Sequence, residues 1–234
     1  MKVSCRPEGR PEIFHTLQGE GTMAGTPAVF LRLAQCNLAC TWCDTKYTWD
    51  WKNYDFQKEV VELSPEHVEN EVLQYGCSHL VITGGEPMLQ QDQMAGLVRS
   101  LKGRGFTFEV ETNGTIAPTP EMGALIDQWN VSPKLDTSGN TSEERYVPEA
   151  LKSFAAISQA YFKFVVTRES DVEEVRRLMD EMSLSRERVL LSPEGRTSSV
   201  LQERSDWLSQ LCVNENLRFS PRLHIYLWGD TRGR

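Results

Sequence analysis

The amino-acid sequence predicts an α/β fold, a partial (β/α)6 barrel with an N-terminal extension and a C-terminal closing segment. Three observations predict it. Runs rich in branched and aromatic residues alternate with helical segments about six times along the 234 residues, a pattern that implies parallel strands joined by right-handed crossovers with helices outside. The count falls short of a full eight-unit barrel. The chemically unusual residues all sit at strand carboxyl ends, the rim on which parallel α/β folds bind ligands.

The elements follow in order. "PAVFLRLA" (27–34) reads as a strand. "SPEHVENEVLQYG" (64–76) reads as a helix, with Ser64 as N-cap, Pro65 in the first turn and Gly76 as the stop. Strand "HLVITGG" (79–85) leads into helix "PMLQQDQMAGLVRSLKGRG" (87–105), and strand "FTFEVETNG" (106–114) into helix "TPEMGALIDQW" (119–129). Strand "NVSPK" (130–134) is followed by a polar loop, "KLDTSGNTSEERYVPE", and helix "PEALKSFAAISQ" (148–159). Strand "YFKFVVT" (161–167), helix "SDVEEVRRLMDEMS" (170–183), strand "RVLLSPEG" (188–195) and helix "SVLQERSDWLSQLCVNEN" (199–216) complete the alternation. The last apolar stretch, "RLHIYLWG" (222–229), reads as a closing strand or a plug for the barrel. No repeat or low-complexity linker divides the chain. One domain is expected over 1–234, with an extension over 1–28, a core over 29–195 and a closing segment over 196–234.

Composition narrows the function. A formal charge of −8 and a pI near 5.2 argue against a nucleic-acid grip, although a few local cations suffice for a small anion. The N-terminus has no apolar signal-peptide core, and no run is long enough to cross a bilayer. A reducing, cytoplasmic setting is expected, where clustered cysteines suggest metal or redox chemistry rather than disulfides.

Three of six cysteines fall in "CNLACTWC", as Cys36, Cys40 and Cys43. A structural zinc site wants four ligands, and no second knuckle is present. A cubane iron–sulfur cluster normally takes four thiolates; with three, one iron stays open to bind something else. That would be a defect in an electron carrier and an asset in an enzyme that passes one electron into a bound molecule. Cys5, Cys77 and Cys212 are isolated and read as inert thiols.

C-x3-C-x2-C, with aromatic Trp42 before the last cysteine, resembles the signature of radical S-adenosylmethionine enzymes. "TGGEP" (Thr83–Pro87), "ETNG" (Glu111–Gly114) and "SPK" (Ser132–Lys134) are similar to that superfamily's strand-end cofactor contacts. The resemblance implies a radical SAM type of partial barrel, a 4Fe–4S cluster on Cys36, Cys40 and Cys43, and S-adenosylmethionine held by Trp42, Gly84, Gly85, Glu86, Glu111, Asn113, Ser132, Pro133 and Lys134.

"FHTLQGEGTMAGTPAVFLRLAQCNLACTWCDT" resembles the 7-carboxy-7-deazaguanine synthase family almost continuously. That resemblance implies ring contraction of 6-carboxytetrahydropterin with loss of ammonia, in the making of queuosine-type 7-deazapurines, with magnesium as a further cofactor. Leu17, Gln18 and Gly19 would contact the pterin and Glu20 would accept from its NH groups. Arg32 would pair with the substrate carboxylate, Thr83 would face the substrate, His224 would lie near the pterin and Thr45 would offer its hydroxyl to magnesium. A 5′-deoxyadenosyl radical would remove a hydrogen from C6, and the cofactor would be regenerated. A homodimer and a flavodoxin or ferredoxin electron donor are also implied. Arg222 stands where the resemblance leads one to expect a glutamine.

The residues support these roles on independent grounds. Arginine presents a fork that fits a carboxylate. Gln and Glu complement the donors and acceptors of an aminopyrimidinone, and magnesium prefers oxygen ligands. Taken singly, each has a bland rival: a structural ion pair for Arg32, a turn cap for Thr45, a core histidine for His224, a helix start for Glu86 and Pro87. Trp49 and Trp51 fit either a site mouth or a subunit contact. Two other functions share part of the pattern. A glycyl-radical activase would use the cluster and "GGEP" but has no need of "LQGEG", Arg32 and Thr45; a zinc module would need a fourth ligand.

Overall fold

The computed structural model describes residues 1–234. Its strands in chain order are β1 (Lys2–Ser4), β2 (Ile13–Leu17), β3 (Pro27–Leu33), β4 (Val60–Glu62), β5 (His79–Gly84), β6 (Thr107–Thr112), β7 (Gln128–Val131), β8 (Ala160–Val166), β9 (Val189–Pro193) and β10 (Arg218–Phe219). They form one sheet in the spatial order β10-β9-β8-β7-β6-β5-β3-β1-β4, with β2 paired to β3. From β3 through β10 every neighbouring pair is parallel, whereas β1, β2 and β4 pair antiparallel. The sheet does not close. It is the expected partial barrel, widened by an antiparallel wing.

The six long parallel strands are those the sequence pattern marks. The wing was not expected: β1 and β4 are three residues each, too short to show a period. Strand "NVSPK" sits earlier than expected. The helix before it ends at Leu125, and the Asp127 carboxylate accepts from the Phe108 N–H at 2.9 Å, so Trp129 enters the sheet as a buried strand residue. "RLHIYLWG" is a correction: it contains a short helix, Leu223–Trp228, with only Ile225 buried, so His224 is carried on a helix and not in a strand. A short apolar run carries no period that separates the two. The polar loop contains a helical turn, Asp136–Ser138, and a short helix, Ser142–Arg145, started by a capping box between Thr141 and Glu144.

Helix starts follow the local signals. The Ser64 hydroxyl accepts from the His67 N–H ahead of Pro65–Leu73, and Thr119 and Thr197 cap Pro120–Leu125 and Ser198–Glu215 in the same way.

Alternate side chains of a strand point to opposite faces, and here that alternation separates stability from function. Leu31, Leu80, Ile82, Phe108, Val110, Trp129, Phe162, Phe164 and Leu191 face outward into one core with the helices. Trp129 meets Phe154 edge-on at 5.2 Å between ring centroids. The intervening positions turn inward and, beside apolar Phe30 and Val165, carry polar side chains: Arg32 on β3, Thr83 on β5, Glu109 and Glu111 on β6, Asn130 on β7, Lys163 on β8. All of these except Glu109 line a single cavity at the carboxyl rim.

Candidate active site

The cysteine loop is fixed from two sides. Gly85 N–H donates to the Leu33 carbonyl at 3.0 Å, and Glu86 N–H to the Gln35 carbonyl at 2.8 Å. A methyl group on Gly84 or Gly85 would overlap the Leu33 or Gln35 carbonyl, so both glycines are required by contact between backbones. From the other side, Thr41 N–H donates to the Ser138 carbonyl at 2.9 Å and Trp42 Nε1 to the Thr137 carbonyl at 3.0 Å. The polar loop is thus a clamp on the cysteines.

Each sulfur has its own N–H donor. Leu38 N–H points to Cys36 Sγ at 3.4 Å, Asn140 Nδ2 to Cys40 Sγ at 3.3 Å and Trp49 Nε1 to Cys43 Sγ at 3.4 Å. Donors aimed at sulfur suit thiolates and tune a cluster's potential. Burial pushes the Cys36 thiol up to about 12 and raises that of Cys40; coordination to a metal would favour their thiolate forms. No three Cys, His, Asp or Glu side chains converge as one metal ion requires. A cubane makes no such demand, because each thiolate binds a different iron. The donor set fits a cluster and gives a lone zinc ion no centre.

Of the residues expected to hold the cofactor, Trp42, Gly84, Gly85, Glu111, Asn113, Ser132 and Lys134 line the cavity. Lys134 Nζ donates to the Ser132 carbonyl at 2.8 Å and lies 5.9 Å from the centre of the Trp42 ring. Asn113 Nδ2 donates to Asn37 Oδ1 at 3.0 Å, tying the "ETNG" strand end to the cysteine loop. Glu86 and Pro133 do not line the cavity. Glu86 is fully buried behind it and accepts from Met88 N–H at 3.0 Å, Asn113 N–H at 2.6 Å and the Thr112 hydroxyl at 2.7 Å. It joins the ends of β5 and β6 and starts the next helical turn.

The same cavity is lined by all the residues expected to meet the substrate or magnesium: Leu17, Gln18, Gly19, Glu20, Arg32, Thr45, Thr83 and His224. Gln18 Nε2 donates to Glu111 Oε1 at 3.1 Å and also to Glu109, while its oxygen accepts from Glu20 N–H at 3.2 Å. Thr83 Oγ1 donates to Glu111 Oε2 at 2.7 Å. Arg32 Nε donates to buried Glu12 at 3.0 Å, and its Nη atoms have no partner in the protein. The arginine is therefore ion-paired and still presents half its fork. Thr45 heads the turn Lys46–Thr48 without capping it by its hydroxyl, which lies 3.6 Å from Cys43 Sγ.

Glu20 is the centre of a charged group. Its oxygens accept from Lys163 and from Arg222 Nε, the latter at 2.9 Å, and His224 Nε2 lies 3.9 Å away. Burial would raise the Glu20 carboxyl, but Lys163 and Arg222 outweigh it and hold the group far below the usual glutamate range. Burial lowers His224, which is neutral at pH 7. Gly19 has no room for a side chain because the His224 ring occupies it, and Leu223 N–H donates to the Gly19 carbonyl at 2.8 Å.

The sequence reading did not single out Asp44, Asn130, Asn140, Lys163 and Glu194, which line the cavity or hold its sulfurs. Lys163 carried a signal, a lysine inside an otherwise apolar strand; Asn140 carried none. Trp49 lines the cavity, whereas Trp51 packs edge-on against Phe56 at 4.9 Å and stays partly exposed.

An open parallel sheet with three rim cysteines, each sulfur facing an N–H donor, and glycines at the next strand end define a radical S-adenosylmethionine enzyme, which works with a 4Fe–4S cluster and S-adenosylmethionine. Residues 32–132 match the Radical SAM superfamily model. A 7-carboxy-7-deazaguanine synthase from Pyrobaculum aerophilum is 39% identical over 236 residues, covering 99% of this chain and 100% of that one. Another from Halobacterium salinarum is 36% identical, covering 94% and 90%. The crystal structure of QueE from Escherichia coli aligns with a TM-score of 0.67 and 28% identity, over 96% of this chain and 95% of that one. The chain belongs to the 7-carboxy-7-deazaguanine synthase family.

Two outcomes follow from this geometry. Asn140→Ala removes the donor to Cys40, so the reconstituted cluster should have a more negative midpoint potential than wild type; redox titration followed by electron paramagnetic resonance checks this, and an unchanged potential would refute the role of that bond. A carboxyl held below its unfolded pKa stabilises the fold at neutral pH and gives that up as pH falls from the ordinary glutamate value of about 4.3 downward. Glu20→Gln should therefore lower the melting temperature at pH 7, and the gap to wild type should narrow progressively below about pH 4.

Proposed function

We propose that this chain contracts the ring of 6-carboxy-5,6,7,8-tetrahydropterin to 7-carboxy-7-deazaguanine with release of ammonia, in 7-deazapurine biosynthesis. The observation that carries this reading is one cavity that joins the three cysteines to Gln18, Glu20 and the half-free fork of Arg32. When bound, the cluster and S-adenosylmethionine supply an organic radical able to take a hydrogen atom from a substrate carbon.

The chain's own residues bind, orient and exclude. Gln18 is held by Glu109 and Glu111 with its amide nitrogen toward them, which leaves its oxygen side and Glu20 for the NH groups of the pterin. The Nη atoms of Arg32 take the substrate carboxylate, and Glu12 behind the guanidinium keeps the fork in plane. Each carboxylate oxygen of Glu20 keeps a lone pair beyond the one given to Lys163 or Arg222. The reaction loses ammonia and is redox-neutral overall, and His224, which lines the cavity against Gly19, would lie beside the pterin. The Thr45 hydroxyl, not engaged as a cap, would be free to serve as an oxygen ligand to magnesium.

The same reading assigns residues 1–28 to a substrate-binding extension, 29–195 to the core and 196–234 to a closing segment of one domain. It also carries a homodimer, a flavodoxin or ferredoxin donor and a cytoplasmic setting, all from family membership; no helix is long and apolar enough to cross a membrane.

Anaerobic incubation of reconstituted protein with 6-carboxytetrahydropterin, S-adenosylmethionine, magnesium and reductant tests the reading: deazaguanine product is expected, and its absence rejects it. Arg32→Lys should lower kcat/KM by roughly tenfold or more with iron content unchanged, because a point charge does not replace the fork. Thr45→Val should weaken the response of turnover to added magnesium; an identical titration would remove Thr45 from that site.

A further inference from the structure

Arg222 lies directly before the last helix, and its side chain is about one-tenth exposed. It does not cap that helix. It runs inward and donates to three segments remote from one another in sequence. Nε donates to Glu20 Oε1 at 2.9 Å, Nη1 to the Gly195 carbonyl at 2.7 Å and Nη2 to Asp44 Oδ2. The backbone around it grips the same turn: Leu223 N–H donates to the Gly19 carbonyl at 2.8 Å, and Gly21 N–H to the Ser220 hydroxyl at 2.8 Å.

We propose that Arg222 is a positioning residue for the anionic pterin, one side chain that fixes the Glu20 carboxylate on one wall of the substrate site and the Asp44 end of the cysteine loop on the other. The inference rests on the pterin reading above. Geometry gives the first reason: the guanidinium is the one group bonded to both walls, and its planar fork sets their separation. Charge gives the second. Glu20 is ion-paired with Lys163 and Arg222, and Asp44 with Arg222, with Arg32 also close to Asp44 and Glu111 and His224 close to this group. Without Arg222, Glu20 keeps Lys163 while Asp44 loses its ion-pair partner. The two carboxylates then repel each other and any substrate carboxylate brought to Arg32. Lys163 reaches Glu20 only and does not take over the bond to Asp44.

The test uses pterin-6-carboxylate, a fluorescent analogue, titrated into the cluster-free chain. That readout does not depend on turnover. Arg222→Gln should weaken binding by roughly tenfold or more, since it removes the guanidinium that Glu20 and Asp44 share. Arg222→Lys keeps the charge but loses the fork, and should fall between wild type and Arg222→Gln. Because Arg222 acts through Glu20, the double variant Glu20→Gln/Arg222→Gln should bind no more than about threefold worse than the weaker single variant. In reconstituted enzyme, KM should rise by a larger factor than kcat falls. Thermal melts verify folding; if Arg222→Gln does not fold, Arg222→Lys alone decides. Wild-type affinity in the folded variants, or losses at Glu20 and Arg222 that simply multiply, overturns the assignment of Arg222. Wild-type protein that fails to bind the analogue overturns the pterin reading and this inference with it.

Discussion

The contact between two backbones, Leu33–Gln35 at the end of β3 and Gly84–Glu86 at the end of β5, is the constraint on which the site depends. The strands are in register, with Arg32 opposite Thr83 and Leu33 opposite Gly84. Where they leave the sheet, the cysteine loop lies directly on the glycines, and only residues without a Cβ allow that approach. Glu86, buried beneath, spends its carboxylate on β6 and on the next helical turn. Cys36 is therefore placed relative to three strand ends at once, to β3 and β5 by backbone hydrogen bonds and to β6 through the buried Glu86 carboxylate.

A second consequence of the parallel sheet is a set of polar side chains with little access to water. The outward positions of each strand pack against helices, so chemistry is left to the inward positions, and an ionised group there needs a partner. The structure supplies partners from outside the core strands. Glu12 faces Arg32 and Arg232, and the Arg232 guanidinium lies 3.4 Å from the centre of the Tyr47 ring. Glu20 faces Lys163 and Arg222. The N-terminal extension supplies the carboxylates, the C-terminal segment supplies two of the arginines, and the core supplies the remaining cations. Chain ends and core are thus held together by the charges that shape the cavity.

The bland readings of several site residues hold in the structure and leave room for the proposed roles. Arg32 makes a structural ion pair through Nε and keeps its Nη atoms toward the cavity. Gly84 and Gly85 satisfy a packing requirement at the place where a cofactor would need open backbone. Glu86 makes only structural bonds and lies behind the cavity wall.

The sequence by itself determined the six parallel strands, the rim that carries chemistry and the cysteine trio, because those signals are local: period, punctuation and spacing lie within a dozen residues. It also carried the family resemblance, through motifs whose order survives without any knowledge of contacts. Only the tertiary structure decided that "RLHIYLWG" ends in a helix, that Asn140 meets Cys40 across 100 residues and that Arg222 meets Glu20 across 202. Those partners are chosen by where the chain returns in space, and a short apolar run or a single arginine carries no period from which that return can be read.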